Sequence, residues 1–370
     1  MDQQQIVDQF KELVTIDSLS KEEGAVASYL ETELRDLGLK VERDNTGQKI
    51  GGETGNLIAR LDGNAEGAPT LLLSAHMDTV GPGKGIKPVI RDGKLVSKGD
   101  TILGADDKAG IVAILEALRY IKTNNLKHGD LEVVFTVGEE VGLLGSKNLD
   151  YDLLEAEMGV VYDSSGSIGK IVTQAPAQDK IKVKVEGKSA HAGINPSGGV
   201  NAIKVASIAI SNLNLGRIDE ETTANIGVVK GGQATNVVPD LVELKGEARS
   251  HQERKLEKQI THMTSIFERA AQKFNAQVEF DITRKYPSFE LGRDEQIVDI
   301  AIKAARNIGV KSNLQATGGG SDANIFNQQG ISTVNLGIGM EEVHSEEENI
   351  AVISLINSVK YSISLLKQVV

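Results

Sequence analysis

Apolar residues along the chain change period several times, and each change marks an element. Ile6, Phe10, Leu13 and Val14 recur at helical spacing. Ser20, with Glu23 three residues later, reads as a capping box opening a second helix, which Gly38 is placed to end. Strands are expected at Lys40–Arg43, Asn56–Leu61 and Thr70–His76. The Gly/Thr-rich connection between the first two, Asn45–Gly55, is expected to be mobile. Val89–Val96 reads as a hairpin on the Asp92-Gly93 turn. A helix follows with Ile111, Ile114, Leu115, Leu118 and Ile121 on one face, then apolar strands at Leu131–Val137 and Gly159–Tyr162. The alternation predicts an open α/β sheet.

After Gln178 the pattern becomes a half-exposed alternation. Lys180–Glu186, Thr222–Val229, Asp240–Arg249 and Gln277–Tyr286 read as strands, and Val200–Leu213 and Gln252–Phe274 as amphipathic helices. Their order, β-α-β-β-α-β, is the ferredoxin-like unit, complete in itself and inserted. Beyond Pro287 the α/β pattern resumes with a helix at Asp294–Ile308, strands at Asn313–Ala316 and Ser332–Leu336, and a closing helix at Glu348–Val369. The expected division is residues 1–177 and 289–370 for one domain and 178–288 for the insert.

Composition narrows the possible chemistry. The chain has 370 residues, enough for two domains, with 40% hydrophobic and 25% charged residues. It has no tryptophan, 4% aromatics, a net charge of -12 and no basic run, which argues against nucleic acid or an anionic membrane as partner. With no cysteine, any transition metal must be held by histidine and carboxylate. The first residues, Met1-Asp2-Gln3-Gln4-Gln5, lack the features of a signal peptide, and no apolar run is long enough for a bilayer. A cytoplasmic location is expected.

Three apolar strands stop at residues able to bind metal. Leu71–Ala75 runs into His76, with Asp78 two residues on; Leu131–Val137 into Glu139-Glu140; and Gly159–Tyr162 into Asp163. The helix start at Gly104-Ala105-Asp106-Asp107-Lys108 adds Asp106, and His344 lies in a late acidic loop. Each has an ordinary structural explanation alone: a strand end, a helix cap favoured by the macrodipole, a solvated pair, an exposed histidine. Together they gather where open α/β sheets bind ligands, at the carboxyl ends of strands. Five ligands, His76, Asp106, Glu140, Asp163 and His344, suit two zinc ions, or cobalt or manganese, if one carboxylate is shared. Glu139 is then free to act as general base on bound water, and Asp78 to accept a hydrogen bond from the non-liganding nitrogen of His76. His128, His251 and His262 read as surface residues. The glycines Gly318–Gly320 read, by themselves, as a tight turn.

The motifs Ser74-Ala75-His76-Met77-Asp78-Thr79-Val80, Gly104-Ala105-Asp106-Asp107-Lys108-Ala109-Gly110 and Gly138-Glu139-Glu140-Val141-Gly142, with Asp163 and His344, resemble those of a co-catalytic dizinc metallopeptidase family. That family includes peptidase T, glutamate carboxypeptidase, aminoacylase and succinyl-diaminopimelate desuccinylase. The resemblance implies a mixed-sheet catalytic domain with helices on both faces, carrying an inserted lid that also makes a homodimer. It implies one zinc on His76 and Asp163, a second on Glu140 and His344, Asp106 bridging with a cis peptide to Asp107, Glu139 as base and Asp78 orienting His76. In the insert, Gly187-Lys188-Ser189-Ala190-His191-Ala192-Gly193 is similar to a motif whose histidine stabilises the oxyanion. Asn236, Arg249, Gly319 and Gly320 sit where similar proteins contact substrate. The motifs look closest to peptidase T, implying an aminopeptidase for short peptides, tripeptides foremost. The alternatives are an amidohydrolase or carboxypeptidase cleaving N-acyl amino acids or C-terminal residues, and a silent metal- or peptide-binding protein.

Overall fold

A computed structural model describes all residues, Met1–Val370. The chain divides into two compact units: Met1–Thr173 with Glu290–Ala316 and Ser321–Val370, and Gln174–Phe289 with Thr317–Gly320. The glycine turn, expected in the resumed α/β segment, therefore groups with the insert.

The first unit is built on a nine-stranded mixed sheet. At its centre Leu71–His76 runs parallel to Leu131–Thr136 on one side and Met158–Ser164 on the other, and Ser332–Gly337 runs parallel to Met158–Ser164. Leu57–Leu61 and Lys170–Ala175 extend it with antiparallel pairings. Leu71–His76 and Leu131–Thr136 are buried at every position, so the sheet is covered on both faces, which explains their unbroken apolar runs. Helix Ala105–Thr123 packs against Leu71–His76 and Met158–Ser164, with Val352–Gln368 alongside it. The parallel register brings His76 level with Thr136, so the carboxyl ends of neighbouring strands open at one edge.

Three local expectations are corrected. The Asn45–Gly55 connection is structured: it holds a helix, Thr46–Ile50. Asp44 stitches it down, accepting from the Thr46 and Asn56 amides at 2.9 Å each, from the Thr46 hydroxyl at 2.8 Å and from the Asn56 amide group at 2.7 Å. The Ser20/Glu23 capping box does not form. Helix Gly24–Asp36 has no side-chain cap, and both residues bond elsewhere, as described below. The hairpin forms as expected, from Pro88–Arg91 and Lys94–Ser97, with both turn residues at positive φ. His128 is buried rather than on the surface, its Nδ1 2.8 Å from the Gly129 carbonyl.

In the second unit, Ala177–Glu186, Thr222–Gly231, Leu241–Ser250 and Gln277–Tyr286 form an antiparallel sheet. Ala177–Glu186 and Leu241–Ser250 are its inner strands, and Thr222–Gly231 and Gln277–Tyr286 lie outside them, the ferredoxin-like order. Helices Ala202–Ser211 and Glu253–Phe274 close its core through Val205, Ala209, Leu256, Met263 and Phe267.

Candidate metal centre

The carboxyl ends of three parallel strands, a helix start and a late loop bring the predicted ligands to one place. His76 Nε2 lies 3.0 Å from Asp106 Oδ1 and 3.7 Å from Asp163 Oδ1. From the other side, His344 Nε2 lies 2.8 Å from Glu140 Oε1 and 3.3 Å from Asp106 Oδ2. Asp106 thus offers one oxygen to each imidazole, the disposition of a shared carboxylate. The Asp106–Asp107 peptide is cis. His344 holds a left-handed backbone at φ 65°, and half its side chain is exposed.

The electrostatics show why this cluster suits cations. Asp106, Asp163, Glu139 and Glu140 crowd around two imidazoles. Burial disfavours charge on Asp106, but the two histidines outweigh it and hold its pKa well below the usual range. Burial, with Asp106 close by, pushes Asp163 up to about 7. Burial and the Asp163 carboxylate also raise Glu139 well above the usual range. The carboxylates around His76 override its burial and raise it, and those around His344 lift it to about 10. Donor atoms of His76, Asp106 and Glu140 lie within 4.8 Å of one another, as do those of His76, Asp107 and Asp163. Asp107 is already committed as a brace, its oxygens accepting the His76 and Gly110 backbone amides at 3.2 Å each. An oxygen-and-imidazole set without sulfur fits zinc, cobalt or manganese.

Asp78 has a part beyond the one expected. The closest partner of His76 Nδ1 is the Asp78 backbone carbonyl at 2.8 Å, and the carboxylate is farther, at 3.5 Å. Either oxygen acceptor places the imidazole proton on Nδ1 and leaves Nε2 for a ligand. The carboxylate itself accepts from the Glu139 amide at 2.9 Å, the Glu140 amide at 3.2 Å and the Ser20 hydroxyl at 2.6 Å. It holds the turn that carries both glutamates.

Three further buried acids lie around the site, two with no sequence signal and one, Glu23, which the sequence assigns to a helix cap instead. Glu348 accepts the Leu103 and Gly104 amides at 2.8 Å each and the Asp106 amide at 3.0 Å, fixing the turn that presents Asp106. Asp322 accepts from Thr136 and Ser146 hydroxyls at 2.6 and 2.5 Å. Glu23 accepts the Gly138 amide at 2.9 Å. Lys108 is also fully buried, donating to the Ile16 carbonyl at 2.6 Å, and burial pushes its pKa down to about 7.

The remaining predicted residues belong to the second unit. His191 pairs with Val237, and the Ala192 amide donates to the Asn236 carbonyl, so His191 and Asn236 come together. His191 Nδ1 accepts from the Gly193 and Ile194 amides at 3.2 and 3.1 Å, which leaves Nε2 as the protonated, donating nitrogen of the neutral ring. Arg249 bonds Glu247 at 2.9 Å and the Gly318 carbonyl at 3.2 Å. A side chain on Gly319 would meet open space. One on Gly320 would strike the Tyr286 ring at 2.4 Å, so close packing accounts for that glycine.

Comparison with known proteins identifies the family. The chain is 43% identical to the uncharacterized protein YqjE of Bacillus subtilis over 368 residues, covering 100% of this chain and 99% of that one. Its fold is similar to that of aminopeptidase PepT from Bacillus cereus (TM-score 0.94, 43% identity, 100% and 99% coverage). It is equally similar to a tripeptidase from Staphylococcus aureus (TM-score 0.97, 41% identity, 100% and 99% coverage). The profile of Peptidase family M20/M25/M40 matches residues 72–368, a span that contains His76, Asp106, Glu140, Asp163 and His344. The chain therefore belongs to Peptidase family M20/M25/M40 and is a metallopeptidase.

Proposed function

We propose that the protein is a two-zinc aminopeptidase acting on short peptides, tripeptides foremost. The observation that carries this reading is the position of Glu139, a buried carboxylate adjoining a ligand cluster and making none of that cluster's imidazole contacts. The likeness to an aminopeptidase PepT and to a tripeptidase over their whole lengths supports the substrate class. In this reading His76 and Asp163 would hold one ion and Glu140 and His344 the other, with Asp106 available to both. When bound, the metal pair supplies Lewis-acid polarisation of the scissile carbonyl and lowers the pKa of water. Glu139 takes the proton from the attacking water and returns it to the departing amine, a task matched to a carboxyl whose pKa is raised by burial. His191 is the proposed hydrogen-bond donor to the oxyanion, and Asn236, Arg249 and the Gly319-Gly320 backbone the proposed substrate contacts.

We also place the enzyme in the cytoplasm, as a homodimer through the second unit. No helix is long and apolar enough to cross a membrane. The exposed Ile194, Ile203, Val228, Val229 and Leu241, all in the second unit, support the dimer.

The test is hydrolysis of tripeptides, dipeptides, peptides ending in glutamate and N-acetyl amino acids by zinc- and cobalt-loaded protein. Release of the N-terminal residue from tripeptides is expected. Preference for N-acetyl amino acids or C-terminal release would replace the aminopeptidase reading with the amidohydrolase or carboxypeptidase one. Glu139→Gln should lower kcat on the order of 10²–10⁴-fold with both metals retained. Hydrolysis surviving in that variant would remove Glu139 from the mechanism.

A further inference from the structure

The turn bearing Glu139 and Glu140 has three consecutive backbone amides, and each is taken by a buried carboxylate from elsewhere in the chain. Gly138 donates to Glu23 Oε1 at 2.9 Å, Glu139 to Asp78 Oδ1 at 2.9 Å and Glu140 to Asp78 Oδ2 at 3.2 Å. Asp78 lies beside His76, so its presence there follows from the strand. Glu23 comes from a distant segment and is fully buried. It immediately precedes helix Gly24–Asp36 yet makes no capping bond to it. Oε1 also accepts the Lys21 amide at 2.8 Å, while Oε2 has no hydrogen-bond partner.

A buried carboxyl with an unpaired oxygen is unfavourable for folding, and helix capping does not offset it here. What the arrangement does provide is location. Gly138, at φ 60°, is the pivot between strand Leu131–Thr136 and the two glutamates. The loop from Ser20 to Glu23 reaches the pivot directly through Glu23, and reaches the glutamate amides indirectly through the Ser20 hydroxyl on Asp78.

We propose that Glu23 is a positioning residue for the reaction: by holding the Gly138 amide it sets where Glu139 and Glu140 point. The inference rests on Glu139 being the base and Glu140 a ligand. The test compares Glu23→Ala, Glu23→Gln and Leu30→Ala, the last a buried apolar site in the helix that follows Glu23. Each is measured by zinc titration calorimetry, tripeptide kinetics and thermal unfolding.

Glu23→Ala should lower kcat about 10–100-fold with KM changed less than about threefold, and weaken one of the two zinc ions about tenfold. Glu23→Gln keeps an acceptor for both amides and should stay within about threefold of wild type in kcat and zinc affinity. Leu30→Ala should lose thermal stability without losing kcat. Wild-type kcat and zinc affinities in Glu23→Ala would overturn the proposal, as would equal losses in Leu30→Ala. If Glu23→Ala does not fold, Glu23→Asp, one methylene short of the amides, carries the same expectation. Zinc titration needs no substrate. Wild-type protein inert to every peptide would sink the aminopeptidase reading, and a weakened zinc in Glu23→Ala would still support the positioning role.

Discussion

Asp78 shows how one residue can serve two segments of the candidate site at once. Its carbonyl faces His76 Nδ1 while its carboxylate takes the Glu139 and Glu140 amides. Asp78→Asn preserves the carbonyl but sets an amide N–H₂ against the Glu139 amide in one orientation or the Glu140 amide in the other, so one of these two bonds is lost. We expect a 10–100-fold drop, roughly, in zinc affinity or kcat, read by titration calorimetry and tripeptide kinetics. Unchanged values would show that the carbonyl alone suffices. Glu23 adds a pH signature in stability. Burial raises its pKa from 4.5 to about 7 in the folded state. Between those values the folded protein keeps a proton that the unfolded chain has released. Wild-type stability contributed by this group therefore falls as pH rises through that window and is level above it. Glu23→Gln, which cannot ionise, should gain on wild type by on the order of 1–3 kcal/mol from pH 5 to pH 7.5 in urea unfolding. Parallel stability curves for the two proteins would mean that Glu23 ionises normally.

At the level of elements, the site depends on how closely helix Ala105–Thr123 lies on strand Met158–Ser164. A β-carbon on Gly110 would come within 2.4 Å of Asp107 Oδ1 and 2.5 Å of the Tyr162 carbonyl. Gly110→Ala should therefore push the helix start off the strand, costing about 1–3 kcal/mol in chemical unfolding and disturbing the Asp107 brace under His76. An alanine variant as stable as wild type would show that the helix start can shift freely. The strand-end pattern was legible in the chain because buried strands need unbroken apolar runs, and a polar residue after such a run stands out. The Ser20/Glu23 pair was misread for a related reason. Its spacing matches a local capping motif, and the partners that claimed it, Asp78 and Gly138, are remote in sequence.

Across the whole molecule, the α/β unit is assembled from segments on both sides of the insert. Asp106, from an early helix start, meets His344 and Glu348, from near the end of the chain. Buried carboxylates outnumber imidazoles at this junction, so divalent ions should stabilise the fold as well as catalyse. Removing them with a chelator should lower Tm and abolish peptide hydrolysis, with zinc restoring both. The stabilisation is RT ln(1 + [L]/Kd), about 4 kcal/mol at a thousandfold excess over Kd. A Tm indifferent to chelator and to zinc would contradict a folded-state metal site.

The chain by itself determined the α/β class, the inserted ferredoxin-like unit and the candidate ligand positions His76, Asp106, Glu140, Asp163 and His344. Those features are written in hydrophobic period and in residue types at element ends, both local properties. Only the tertiary structure decided that Asp78 holds the glutamate turn, that Glu348 fixes the Asp106 turn, and that Glu23 leaves its own helix for Gly138. A buried carboxylate chooses whichever amides the packed chain brings within reach, and no spacing along the sequence records which those are.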